Sequence, residues 1–210
     1  MGFITRTLRK VMLATNNYVD PKTSILIELG DQNAFNELVN SQNIDKYRIK
    51  NIMYNYFKEY HTLDLKGDDI IPTDLSDYKP DLFKCDIITN IGTTEHVELE
   101  DGQFNCWMNM HSWLNVGGIM IHELPEVGSW PGHCRYHTSR KFFKAFEKYG
   151  YKIVELDDHL WSDQGNTLWC VMKKVKDVPF MDKDTFFSLM HFDINVPPAG
   201  FIESNNPKNL

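Results

Sequence analysis

Apolar runs suited to β-strands alternate with segments whose apolar side chains recur at helical spacing, and no other feature constrains the fold of this chain as tightly. That alternation is the sequence mark of a parallel sheet whose strands are joined by crossover helices. The first run, Ser24 to Leu29, follows Pro21 and stops at Gly30. Its unbroken apolar character suits a strand covered on both faces. Ile44, Tyr47, Ile49, Ile52, Met53, Tyr56 and Phe57 then recur at near-helical spacing, before a short strand from Tyr60 to Leu65. Asp69 to Thr73 is compatible only with a short strand, because Pro72 has no amide hydrogen to give a ladder. Cys85 to Asn90 is the fourth strand.

Phe104 to Leu114 reads as a helix halted by Asn115-Val116-Gly117-Gly118, and Ile119 to His122 as the fifth strand. A loop rich in Gly, Pro and His runs from Pro125 to His137. Thr138 or Ser139 caps a helix whose apolar face is Phe142, Phe143, Phe146 and Tyr149, ended by Gly150. Tyr151 to Leu156 and Thr167 to Lys173 form a closing hairpin, and Asp182 to Met190 a last short helix. The expected architecture is an α/β fold with a seven-stranded mixed sheet, mostly parallel with an antiparallel final strand, and helices on both faces. Residues 1–23 are read as an N-terminal helical extension and 24–178 as the main domain. Residues 179–210 are read as a C-terminal extension on the same domain, with a flexible tip.

Charge and cysteines narrow the function. A net charge of −7 works against a broad phosphate-binding surface, so nucleic acid is disfavoured. Cys85, Cys106, Cys134 and Cys170 form no CxxC pair and read as reduced thiols, which fits a soluble cytoplasmic protein. No apolar run approaches the roughly 20 residues that cross a bilayer. Arg6, Arg9 and Lys10 precede the first acid, Asp20, but Phe3, Ile4, Leu8, Val11 and Met12 suit a docked amphipathic helix better than a targeting segment.

In an open α/β sheet, ligands bind beyond the carboxyl ends of the strands, so the polar residues there are the ones to question. The first strand ends Glu28-Leu29-Gly30-Asp31-Gln32-Asn33. The second ends at Asp64. Asp74-Leu75 follows the third, and Asn90-Ile91-Gly92-Thr93-Thr94-Glu95-His96-Val97 closes the fourth. Gly30 lets the chain turn and a ligand approach the backbone. Glu28 is an acceptor for an ammonium group, and Asp64 is placed to hold two ribose hydroxyls. Asp74 is placed to accept from an adenine amino group while the Leu75 amide meets a ring nitrogen.

In this order, over roughly residues 24 to 173, these features resemble the class I S-adenosylmethionine-dependent methyltransferases, which have a Rossmann-like fold. The resemblance implies S-adenosylmethionine as cofactor. It implies that Glu28, Gly30 and their neighbours meet its methionine part, Asp64 the ribose, and Asp74 and Leu75 the adenine, with Gln32, Asn90 and Gly92 also among the cofactor-binding residues. Two departures stand out. Gln32 and Ala34 occupy places where the family has glycines, and the stretch from Gly30 to Asp64 is longer than usual, implying an enlarged first crossover.

Methyl transfer from a sulfonium is an in-line displacement that needs an aligned acceptor and, for a hydroxyl, a proton acceptor. His96 and His133 are the candidate catalytic bases. Glu95, His122, Trp130, Arg135, Tyr136 and His137 are the candidate acceptor-side residues, with Arg135 suited to a carboxylate or phosphate. His122, Glu123, His133, Cys134 and His137 are ligand types for a divalent ion, but their spacing matches no tight zinc pattern, so no metal is expected. The expected activity is methyl transfer to a small-molecule or sugar acceptor. The rival readings are a non-catalytic binding or scaffold protein and a metal-dependent hydrolase built on the His-rich loop.

Overall fold

The computed structural model describes residues 3–32, 34–35, 43–44, 46–97, 99–162, 165–193 and 196. Its main sheet has seven strands: β1 (Ile25–Leu29), β2 (Glu59–Asp64), β3 (Ile71–Pro72), β4 (Cys85–Ile91), β5 (Leu114–Pro125), β6 (Tyr151–Ser162) and β7 (Gly165–Lys174). They lie side by side in the order β3-β2-β1-β4-β5-β7-β6. The pairs from β3 across to β5 are parallel, and β7 runs antiparallel to both β5 and β6. The expected mixed sheet with one reversed strand is what the chain forms. Strand order reverses at β1, which has β2 on one side and β4 on the other, and that switch point opens a crevice at the carboxyl ends.

Alternate side chains of each strand feed two cores. Leu26, Ile87, Ile119, Ile121, Trp169 and Val171 pack with Val11 and Ala14 of α1 (Thr5–Tyr18), and with Met53 of α2 (Lys46–Tyr56) and Phe57 just beyond it. On the opposite face, Ile27, Leu29, Ile88, Met120 and Cys170 meet Trp107 and Met110 of α3 (Glu100–Trp113). The same core takes Phe142 and Phe143 of α4 (Arg140–Ala145), Phe146, and Phe186 of α5 (Lys183–Leu189). Ser139 caps α4 by accepting from the Phe142 amide, and Gly150, at φ +84°, ends the following turn. The basic N-terminal segment is thus a helix docked on the sheet. Lys10 lies 4.1 Å from the Trp169 ring centroid, and Thr7 donates to Glu123 at 2.7 Å.

Three local readings are corrected. Asn115 to Gly118 does not precede the fifth strand. It swells out of β5, because Leu114 still pairs with Cys85 and Ile119 resumes the ladder opposite Ile87. The hairpin strands are far longer than their apolar cores, since ladder hydrogen bonds continue through the polar residues near its tip. The His-rich loop contains a two-residue strand, Tyr136–His137, paired with His191–Phe192. In the long first crossover, Ala34–Phe35 lies between Phe3–Ile4 and Asn43–Ile44 in a small second sheet. The expected flexible tip falls outside the described residues.

Candidate active site

A cleft of about 600 Å³ lies over the switch point. Its walls are the ends of β1, β2 and β4 and the turn after β3. Gly30, Gln32, Asp64, Asp74, Leu75, Gly92 and His96 line it, together with Asp31, Thr73, Ser76, Thr93, Val97 and Leu99. Seven residues singled out from separate parts of the chain therefore share one cavity.

The first turn is built around Gly30. Its φ of +81° lies in the left-handed region, and its amide donates to Leu63 O at 2.8 Å, tying β1 to β2. A Cβ here would come within 2.6 Å of Thr93 Oγ1 and 2.7 Å of Gln32 Nε2. The Gln32 side chain folds back under the turn. Its Nε2 donates to Thr93 Oγ1 at 2.9 Å and Leu29 O at 3.3 Å, while Thr93 Oγ1 donates to Leu29 O at 2.7 Å. Side-chain bonds thus lock the β1 turn to the loop after β4, and Gln32 Oε1 is buried without a partner among the described residues.

The carboxylates of the open cleft are held by backbone amides. Asp64 accepts from the Asp31 amide at 2.7 Å and the Leu65 amide at 2.6 Å, one on each oxygen. Each oxygen keeps a lone pair for a ligand. Asp74 accepts from the Ser76 hydroxyl at 2.7 Å and the Ser76 amide at 2.9 Å on a single oxygen. The hydroxyl bond is the main cause holding Asp74 below the ordinary carboxylate range. The β1 turn is braced from behind by buried Lys50, which pairs with Asp31 at 3.1 Å and donates to the Asp68 and Asp69 carbonyls.

Glu28 and Asn90 sit one layer below the cleft. Glu28 is buried and accepts from the Tyr60 hydroxyl at 2.6 Å and the Gln32 amide at 3.3 Å. Burial, outweighing those two bonds, pushes it up to about 7. Asn90 donates to Thr94 Oγ1 at 2.8 Å and His122 Nδ1 at 3.1 Å, and accepts from the Thr94 amide. Since Asn90 donates to Nδ1, the His122 proton is assigned to Nε2. His122 is fully buried, stacked on Trp107 with centroids 4.9 Å apart, and burial lowers it to about 3. Gln103 donates to the Thr94 and Val97 carbonyls and accepts from Trp107 Nε1. The 92–97 loop thus rests on a rigid floor.

The one-turn helix Thr94–His96 carries His96 to the cleft wall while Glu95 is buried, and His133 approaches His96 from the His-rich loop. The two imidazole centroids are 5.1 Å apart. Glu95 is buried with neither oxygen bonded among the described residues, and burial pushes it up to about 7. Its Oε1 lies 3.8 Å from His96 Nε2, too far for a hydrogen bond. Burial, with a contribution from His133, lowers His96 to about 4, so its ring is neutral near pH 7.

The other acceptor-side candidates are not brought to the cleft wall. Trp130 donates to Asn166 O at 3.0 Å and pins the loop to the hairpin. Arg135 lies over the Phe192 ring at 4.5 Å, and Tyr136 packs on Phe192 from the same strand pair. His137 is buried beside Cys134, 3.7 Å away. Phe192 belongs to a segment more than fifty positions downstream, and no local pattern announces that pairing. Thr93 and Ser76 were also missed. Thr93 lies in the quoted β4 run, and Ser76 at the second position after Asp74 is a familiar Asx-turn signal.

No family model and no curated protein matches this sequence. Solved structures do match its fold. The N-methyltransferase NodS from Bradyrhizobium japonicum WM9 superposes with a TM-score of 0.57 at 12% identity, over 81% of this chain and 95% of that one. TehB from Haemophilus influenzae gives 0.59 at 12% identity, over 79% and 62%. The 1,6-didemethyltoxoflavin-N1-methyltransferase from Burkholderia thailandensis, solved with bound 1,6-didemethyltoxoflavin and S-adenosylhomocysteine, gives 0.56 at 10% identity, over 79% and 76%. The chain has the Rossmann-like fold of the class I methyltransferases.

Proposed function

We propose that this protein transfers a methyl group from S-adenosylmethionine to a small-molecule acceptor, a sugar or other metabolite. The carrying observation is the cleft itself: Gly30, Asp64, Asp74 and Leu75 converge on one cavity over the strand-order reversal. Solved neighbours of this fold hold S-adenosylhomocysteine, the product of such a transfer.

In this reading the ribose hydroxyls donate to the lone pairs that Asp64 keeps. The adenine amino group donates to Asp74, whose second oxygen makes no hydrogen bond among the described residues, and the Leu75 amide serves the ring. The Gly30 turn and Gly92 give the methionine end a close approach to backbone. Glu28 and Asn90 act from beneath, Glu28 holding the first turn through the Gln32 amide and Asn90 holding the β4 loop. Gln32, tied down to Thr93 and Leu29, leaves the cavity open above it.

A sulfonium methyl is already activated, so the chain's main tasks are alignment and exclusion of water. His96, on the cleft wall, and His133 beside it are the groups that meet the acceptor. The four cysteines are buried and unpaired, which supports a reducing compartment. No described helix is long and apolar enough to cross a membrane.

Calorimetric titration of the purified protein with S-adenosylmethionine tests the reading. One site per chain is expected, weakened about tenfold or more by Asp64→Ala. A folded wild-type protein that takes up no cofactor would sink it.

A further inference from the structure

We infer that Glu95, His96 and His133 form a binding site for one divalent transition-metal ion at the part of the cleft wall that His96 lines. One ligand atom from each lies within 4.8 Å of the other two. Around a zinc-sized ion, ligand atoms stand roughly 3.4 Å apart, given bond lengths of about 2.0–2.2 Å. Small side-chain rotations close the difference.

Glu95 supplies the independent argument. Its side chain is only 2% exposed, and both oxygens lack a partner among the described residues. A carboxyl group sealed away without a donor is costly, and such groups are found paired or on metals. Two imidazoles bring a ring nitrogen within 4.8 Å of the Glu95 carboxylate, and neither ring makes a hydrogen bond to another described residue. Three ligand side chains therefore lie together, and none of them makes a hydrogen bond to another described side chain.

Their supports are stiff. Glu95 and His96 ride a turn clamped by Asn90 and Gln103, and the His133 amide bonds the Trp130 carbonyl at 3.1 Å. Two neutral nitrogen donors and one carboxylate favour zinc, iron(II), cobalt or nickel over magnesium or calcium, which prefer all-oxygen surroundings. Three protein ligands leave coordination positions for a further group, and His96 lines the cleft where the acceptor is proposed to sit.

The consequence for substrate class rests on the methyl-transfer reading above. The acceptor is a molecule that offers the ion an oxygen or nitrogen donor next to the atom methylated. The bound ion takes the imidazole lone pairs, so His96 and His133 orient the acceptor through it instead of serving as free bases.

The experiment uses full-length protein without a histidine tag, stripped with chelator and titrated with Co²⁺, whose visible d–d bands report coordination. S-adenosylmethionine binding is measured calorimetrically on the same samples. One equivalent of Co²⁺ per chain is expected, with affinity falling at least a hundredfold in both Glu95→Gln and His133→Ala. His133 reaches solvent, so its variant keeps the question answerable if the buried Glu95 variant misfolds. Wild-type protein that binds no Co²⁺, or a folded His133→Ala variant that binds it as tightly as wild type, overturns the site. Metal loss with cofactor binding intact strikes this inference alone, and cofactor failure with metal binding intact strikes only the methyl-transfer reading.

Discussion

The cleft and the histidine pair beside it treat their carboxylates in opposite ways. In the cleft, Asp64 and Asp74 are open to the cavity, Asp64 held by two backbone amides and Asp74 by an amide and a hydroxyl. Beside His96, Glu95 is sealed in with no hydrogen-bond partner among the described residues. A carboxylate that already has two fixed donors is a preorganised acceptor for neutral hydroxyl or amino groups. A buried carboxylate with none is a position waiting for a proton or a cation. Glu28 falls between them, being as buried as Glu95 but bonded like Asp64.

The largest expected effect is at the Gly30 turn, which is tied to the loop after β4 through Thr93. Gly30→Ala forces a side chain into left-handed backbone and against Thr93, at a cost of about 3.5 kcal/mol summed from both penalties. Urea unfolding measures it, and a cost below about 1 kcal/mol would show that the turn relaxes freely. Next comes Glu28. Its native value of about 7 exceeds its ordinary 4.5, so the folded protein keeps a proton that the unfolded chain releases. Stability is therefore lost as pH rises from about 4.5 to about 7 and is level above that. The drop attributable to Glu28 is about 3 kcal/mol. Glu28→Gln, neutral at every pH, should remove that component from a stability profile taken from pH 5 to pH 8.

Glu95→Met sharpens the contrast directly. In metal-stripped protein, replacing an unpartnered buried acid with an apolar side chain of similar size should raise stability by about 2 kcal/mol. A comparable loss would mean that Glu95 has a stabilising partner. Asp64→Asn is the mildest. It keeps the shape and one acceptor but sets its NH2 against one of the two amides that Asp64 holds, so it should weaken S-adenosylmethionine about tenfold, or about 1.4 kcal/mol, with a small fall in melting temperature.

The resemblance to methyltransferases was carried by residues at strand ends, and those are the residues that the fold gathers. Gly30, Asp64, Asp74, Leu75, Gly92 and His96 are each next to a strong local signal, a strand stop or a turn, so their place at the rim followed from the pattern. Glu28 and Asn90 belong to the same strand ends but face inward, because side chains alternate across a strand and one step decides which layer they enter. Trp130, Arg135, Tyr136 and His137 sit in a loop without periodicity. Their positions depend on pairing with His191–Phe192 and on the hairpin tip.

The sequence by itself determined the strands, their buried character and the acids at their carboxyl ends, because period, turn chemistry and β-branching act over a few residues. It also determined that the N-terminal segment is an amphipathic helix, since its apolar side chains repeat on one face. Only the tertiary structure decided which polar groups receive donors. Asp64 is satisfied by an amide thirty-three residues away, and Gln32 turns down to Thr93, sixty-one residues away. Only the structure, too, set Glu95 and His96 beside His133. Such bonds depend on distances between loops that no local pattern encodes, and the packing of two cores against one sheet sets those distances.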